Sequence, residues 1–166
     1  MIRQALTTDL DQICELGEIF FIECKLPGKF NAVVFKRTYS VLMVEGLAEI
    51  WVLEQAGVII GAIGGMFSPD PFTGDPVAVE TFWYVHPDHR HLGGLKLLHK
   101  FIDRAIEKSC MRVQMAAILR SPAFDNVQKL YMDIGMIPME TYFNLNIIKE
   151  WPLPQPLPSL QLSLQS

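Results

Sequence analysis

The residues best placed to do chemistry lie in the run Val85-His86-Pro87-Asp88-His89-Arg90-His91-Leu92-Gly93-Gly94-Leu95. An apolar, strand-like segment ending at Val85 runs into a short polar turn, and an amphipathic helical pattern starts at once after it. A helix start carries backbone N–H groups without intrahelical partners and the positive end of the helix dipole. Together these hold an anion, most often a phosphate. Arg90 adds a guanidinium, and Gly93 and Gly94 would let the main chain approach the anion with no Cβ in the way. The Gly-Lys-Ser/Thr ending of a Walker A loop is missing, so the turn is not of that kind. His86, His89 and His91 crowd the same turn, with His99 beyond. No acidic or cysteine ligand stands at a fixed spacing to them, so phosphate contact or plain solvation is expected and a metal is not.

The elements that must carry this turn can be read from the pattern. Residues 2–6 predict a first strand. Thr8-x-x-Asp11 reads as a capping box opening a helix over 9–23, with Ile13, Leu16 and Phe20 at helical spacing. Pro27-Gly28 ends it. Asn31 is the expected N-cap of a second helix, and Gly46 fits the position just past its end. Segments 47–53 and 58–66 are rich in Ile, Val and Trp and flank Gln55-Ala56-Gly57, which predicts a hairpin. A Pro/Gly/Asp loop follows over 68–76, then a fourth strand over 77–85, where Trp83 and Tyr84 read as packing residues. The third helix shows Leu95, Leu98, Ile102 and Ala105 on one side and Lys96, Lys100, Asp103 and Glu107 on the other. A strand over 112–118, a helix over 124–134 closed by Gly135, and a strand over 139–148 complete the order β-α-α-β-β-β-α-β-α-β. That order predicts an α/β domain over 1–150, one mixed sheet with helices on both faces. The segment 151–166 is a Pro-rich tail, expected to be polyproline-like or disordered unless it docks a partner.

Composition narrows the classes. The chain has 166 residues, half of them hydrophobic and 19% charged, which is a globular composition. Its formal net charge of -4 disfavours nucleic acid as a partner. The 3 cysteines, Cys14, Cys24 and Cys110, form no C-x-x-C motif and read as small buried hydrophobes. No apolar run reaches membrane-spanning length and the N-terminus lacks a signal-peptide core, so a cytoplasmic protein without membrane contact is expected.

With Arg90-x-x-Gly93 between the fourth strand and third helix, and the lead-in Val85-x-Pro87-x-x-Arg90, the chain resembles the GNAT superfamily of acyl-CoA-dependent N-acetyltransferases. Leu130-Tyr131-x-x-x-Gly135-Met136 resembles a second, late segment of that family. The resemblance spans about residues 2–148. It differs at Leu95, where Gly or Ala is usual, and at Phe124 and Val127 upstream of the tyrosine.

The resemblance implies a GNAT-like fold with strands four and five splayed apart. The pantetheine arm of acetyl-CoA would pair with the fourth strand around Tyr84 and Val85, one of whose N–H groups would polarise the thioester. The pyrophosphate would meet the turn from His86 and Arg90 through His91, Leu92, Gly93, Gly94 and Leu95. The acceptor would be an amine-bearing small molecule, polyamine or protein. Glu80 is the implied base, or else a strand-edge carboxylate; Tyr131 is the implied acid, or else a half-buried helix aromatic. Phe20, Phe21, Pro27 and Phe30 lie where the family shapes its acceptor pocket, and core packing is the expectation for at least two of the three phenylalanines. Asp70 and Asp75 would either attract a cationic acceptor or be solvated turn residues. The rival expectation is a non-catalytic module that senses CoA or holds a protein partner. A homodimer is also an expectation of the resemblance.

Overall fold

The two Ile/Val/Trp-rich segments pair as an antiparallel hairpin, β2 (Ala48–Gln55) with β3 (Val58–Pro69). Its turn places Ala56 at φ 50° and Gly57 at φ 80°, the left-handed pair that a two-residue hairpin turn requires. The structure is a computed structural model that describes residues 1–143, His91 and Leu92 by their backbone alone. Around the hairpin it places β1 (Ile2–Gln4), α1 (Leu10–Glu23), α2 (Ala32–Val44), β4 (Pro76–Val85), α3 (Arg90–Glu107), β5 (Arg112–Gln114) and α4 (Phe124–Asp133). The strands form one sheet in the order β1-β2-β3-β4-β5, antiparallel except for the parallel pair β4–β5. This is the mixed α/β sheet that the pattern predicted.

Helices α1 and α2 cover one face, where Leu10, Ile13 and Leu16 pack on Ile50, Val52 and Phe82. Helix α3 covers the other, where Leu97, Phe101 and Ala105 meet Ile63, Ala78 and Val85. The buried stripe of α3 is shifted in part from the predicted one: Leu98 and Ala105 are buried as predicted and Leu97 and Phe101 join them, while Leu95 and Ile102 stay half-exposed. The cause lies in two glycines. A Cβ on Gly93 would strike the Leu53 side chain 2.5 Å away, and a Cβ on Gly65 would overlap the Phe101 ring. Their absence lets the helix lie close on the sheet and seat Phe101 in the space above Gly65.

Local signals held in part. Asn31 Oδ1 accepts the Val34 N–H at 3.1 Å, the expected cap of α2, and Gly46 follows that helix at φ 70°. The Thr8–Asp11 box does not form. A 3-10 turn over Thr7–Asp9 precedes α1, and the Asp9 carboxylate accepts the Leu6 N–H at 2.8 Å while holding the Arg3 guanidinium at 2.7 Å and 3.0 Å. A charge-assisted fork from β1 thus replaces the predicted hydroxyl cap.

The loop after β3 is shorter than predicted, because residues 68, 69 and 76 belong to strands. Asp70 is neither a lure for a cation nor a solvated residue. It is buried, accepts the Phe72 and Thr73 N–H groups at 2.8 Å and 2.9 Å, and pairs with Arg112.

Two irregularities open the sheet. Opposite β3, Gly64 pairs with Phe82 and Gly65 with Glu80, which leaves Thr81 as a bulge in β4. On the other side β5 ends at Gln114, short of the predicted residue 118, so β4–β5 pairing covers only Val77–Val79 against Arg112–Gln114. From Glu80 to Val85 the outer edge of β4 has no strand beside it among the described residues. The predicted last strand over 139–148 is absent from residues 139–143; its remainder and the tail over 151–166 lie outside the described residues. No described helix is long and apolar enough to cross a membrane.

Gly65→Ala is expected to destabilise the fold by about 1–3 kcal/mol, because the added methyl must displace a fully buried ring. A urea titration followed by tryptophan fluorescence reads this as a lower midpoint at unchanged slope.

Candidate active site

The open edge of β4 forms one wall of a cleft of about 400 Å³. The end of α1 (Phe20, Glu23), the start of α3 (Arg90, Gly94), the segment 116–123 and helix α4 supply the other walls. Of the residues predicted for the site, Glu80, Tyr84, Val85, Arg90, Gly94 and Tyr131 line this one cleft, although 51 positions separate the first from the last in sequence. His86, Gly93 and Leu95 do not. A wider, open hollow of about 680 Å³ beside the 55–57 turn takes in His89 and Gly93, but it meets neither Glu80 nor Tyr131 nor the free strand edge.

Strand alternation says which backbone groups reach the cleft. The His86 N–H donates to the Ile60 carbonyl at 2.8 Å, so it faces β3 and is not free for a ligand. Along an extended strand every second residue faces the same neighbour. The N–H of Tyr84 therefore turns to β3 as well, while those of Trp83 and Val85 turn to the open edge. This corrects the expectation that Tyr84 could supply a cleft-facing N–H: its backbone looks the wrong way, and its side chain is what reaches the cleft.

Glu80 stands where β4 leaves β5. Its Oε2 accepts the Ala116 N–H at 3.2 Å, a cross-cleft bond that takes the place of a ladder bond. Among the described residues no cation faces it; burial pushes its carboxyl up to about 7, and the Ala116 bond offsets this only in part. The group therefore titrates near neutrality, which suits exchange of a proton with a substrate. It sits directly beside the bulge at Thr81.

Tyr131 is buried and stacks on Trp83, with ring centroids 6.2 Å apart and 26° between planes. Burial, and secondarily the Glu80 charge, raise its phenol far above the ordinary range. It stays protonated at neutral pH and can act as a donor.

Arg90 is held differently from the expectation. Its Nη2 reaches both oxygens of Glu23 at 2.7 Å and 2.6 Å, its Nε donates to the Val85 carbonyl at 3.0 Å, and the guanidinium lies 5.2 Å from the Tyr84 ring centre. The Tyr84 hydroxyl donates to the same carboxylate at 2.8 Å. The guanidinium thus points into the cleft wall instead of standing free over the turn. Burial raises the Glu23 carboxyl, but the Arg90 and Tyr84 hydrogen bonds outweigh it and hold the group below its ordinary range. Tyr84 is pushed up to about 12 by burial and by donating to Glu23. Burial also raises the Cys24 thiol beside it, with a Ser121 hydrogen bond in partial opposition.

Gly93 has a packing role that the sequence did not suggest: its missing side chain makes room for Leu53. The backbone of His91 and Leu92 forms the first turn of α3, after a 3-10 turn over Pro87–His89. The His86 and His89 rings stand 6.0 Å apart, and among the described residues no three metal-ligating side chains converge. Sequence reasoning missed Glu23 and Thr81. Nothing local marks Glu23, whose partners follow 61 and 67 residues later.

Replacing Glu80 by Gln tests its burial. A carboxyl raised from 4.5 to about 7 binds more protons folded than unfolded across that window, so stability falls as pH rises through it. The fall is on the order of 2–3 kcal/mol and should vanish from the pH dependence of chemical denaturation in Glu80→Gln.

A model of the acetyltransferase (GNAT) family matches residues 11–136. Solved structures agree in fold. One described as a predicted acetyltransferase from Clostridium acetobutylicum, with acetyl-CoA, is 18% identical at a TM-score of 0.74, over 88% of this chain and 95% of that one. A ribosomal-protein-alanine N-acetyltransferase from Brucella melitensis biovar Abortus is 22% identical at 0.68, over 89% and 98%. The aminoglycoside N-acetyltransferase AAC(6')-Iy in complex with CoA is 19% identical at 0.70, over 89% and 93%. No curated protein matches the chain significantly.

Proposed function

The chain belongs to the GNAT acetyltransferase family, and on that premise we propose that it moves an acetyl group from acetyl-CoA directly to a primary amine. The observation that carries this reading is the open edge of β4 with Glu80 at its root and Tyr131 across from it. An unpaired strand edge offers alternating N–H and C=O groups, which suit the amides of a pantetheine arm laid alongside as an added strand. The diphosphate then falls at the start of α3, where main-chain N–H groups from His91 onward and the helix dipole meet it.

Glu80 takes the proton that the attacking amine must lose, directly or through water. The N–H of Trp83 or Val85, turned to the open edge, donates to the thioester oxygen as negative charge grows there. Tyr131, protonated and buried, returns a proton to the departing sulfur. The wall around them is apolar, which strengthens each of these contacts relative to water. Arg90 fits a positioning part in this scheme: it holds the Val85 carbonyl and Glu23, and so the mouth of the cleft. The two relatives named for protein and aminoglycoside acceptors differ in what they acetylate, so kinship leaves the acceptor open.

Calorimetric titration with acetyl-CoA should give one site per chain. Thiol release with an amine panel should then rise with pH through about 7, as Glu80 ionises. Glu80→Gln should lower kcat by about a hundredfold or more, and Tyr131→Phe by about tenfold, with acetyl-CoA affinity unchanged in both. Binding without thiol release from any amine would favour a non-catalytic CoA-binding module over a transferase.

A further inference from the structure

We infer that the acceptor is a small monoamine carried on an apolar, ring-sized body, and that polycations are poor substrates. The inference rests on the transferase reading and names its substrate class. It follows from the charges facing the cleft. Of the described residues that line it, only Glu23, Glu80 and Arg90 carry a carboxylate or a guanidinium, and Glu23 and Arg90 neutralise each other. The Tyr84 hydroxyl donates to a Glu23 oxygen as well, so that carboxylate already holds two protein partners. Among the described lining residues Glu80 is therefore the carboxylate without a cationic partner, and the reaction itself uses it.

The rest of the described lining carries no charged side chain: Phe20, Leu26, Ile118, Phe124, Val127 and Leu130 make most of it apolar, and Thr81, Ser121 and Asn126 add neutral polar groups. A second or third ammonium drawn into such a wall would lose hydration and gain no counter-charge. An aliphatic or aromatic body gains from the same surface. The rim acts in the same direction. Lys25 lies between Cys24 and Leu26, and Arg120 between Ile118 and Ser121, so both exposed cations flank lining residues. The acidic rim residue Asp125 sits in the first turn of α4, where it answers that helix's own positive end. Volume sets the size limit, since about 400 Å³ must also admit the thioester end of the donor.

The test is steady-state thiol release by the full chain with acetyl-CoA against phenethylamine, isoamylamine, spermidine and a polycationic aminoglycoside. The expected kcat/KM for phenethylamine exceeds that for spermidine by about tenfold or more. A ratio near one, or its reverse, overturns the inference and leaves the transferase reading standing. No release from any amine overturns both. The double reversal Lys25→Glu with Arg120→Glu, both at exposed positions, should raise spermidine turnover about threefold to tenfold and leave phenethylamine within about twofold. An unchanged preference in that variant removes the rim from the argument and counts against the inference.

Discussion

Among the described residues the upper half of β4 has no strand beside it, and the rest of the site depends on that missing ladder. Backbone N–H and C=O groups that lose their pairing and stay out of water cost about 1–3 kcal/mol each, so each must be met by something. The structure meets them piecemeal. The Arg90 side chain covers the Val85 carbonyl, and the Glu80 carboxylate takes the Ala116 N–H that a longer β5 would have spent on β4. What is left uncovered is a short edge with a fixed alternation of donors and acceptors, open on one side only. Open edges invite pairing with another chain. Here the 116–123 segment and α4 stand across from the edge and leave a cleft of about 400 Å³ between.

Two carboxylates in that cleft have opposite fates, and the difference is only in their partners. Glu23 and Glu80 both lose hydration. Glu23 receives a guanidinium and a phenol in exchange and stays ionised; Glu80 receives a single amide and is pushed toward the neutral form. Environments that separate the proton affinities of like groups are how one fold assigns one carboxylate to structure and the other to proton transfer. Glu23 ties α1, β4 and α3 together at the mouth, which leaves Glu80 as the group free to change charge.

The helix that follows the turn is set by contacts on its far side. Gly93 brings α3 against Leu53, and Gly65 makes the hollow that Phe101 fills. Those contacts fix the height of the first turn of α3 above the sheet, and so the place of its free N–H groups relative to the end of β4. A glycine that looks like part of a ligand loop, Gly93, is therefore also a packing device. The anion-binding capacity of the turn comes from the helix start itself.

The elements whose signals are local were legible in the chain. The hairpin around Ala56-Gly57, the Asn31 cap, the Gly46 stop and the order of strands and helices as far as α4 all follow from periodicity and turn chemistry that act within a few residues. The candidate site was legible as a set of residue types, because the turn after Val85 and the segment around Tyr131 carry a family's spacing. What the chain alone could not decide is which neighbour each group would meet. The length of β5, the bulge at Thr81, the direction of the Tyr84 N–H, the engagement of Arg90 by Glu23 and the shielding of Asp70 all depend on contacts across tens of residues. Such contacts are chosen by competition for burial and for hydrogen-bond partners in the assembled sheet, and no short window of sequence contains both competitors.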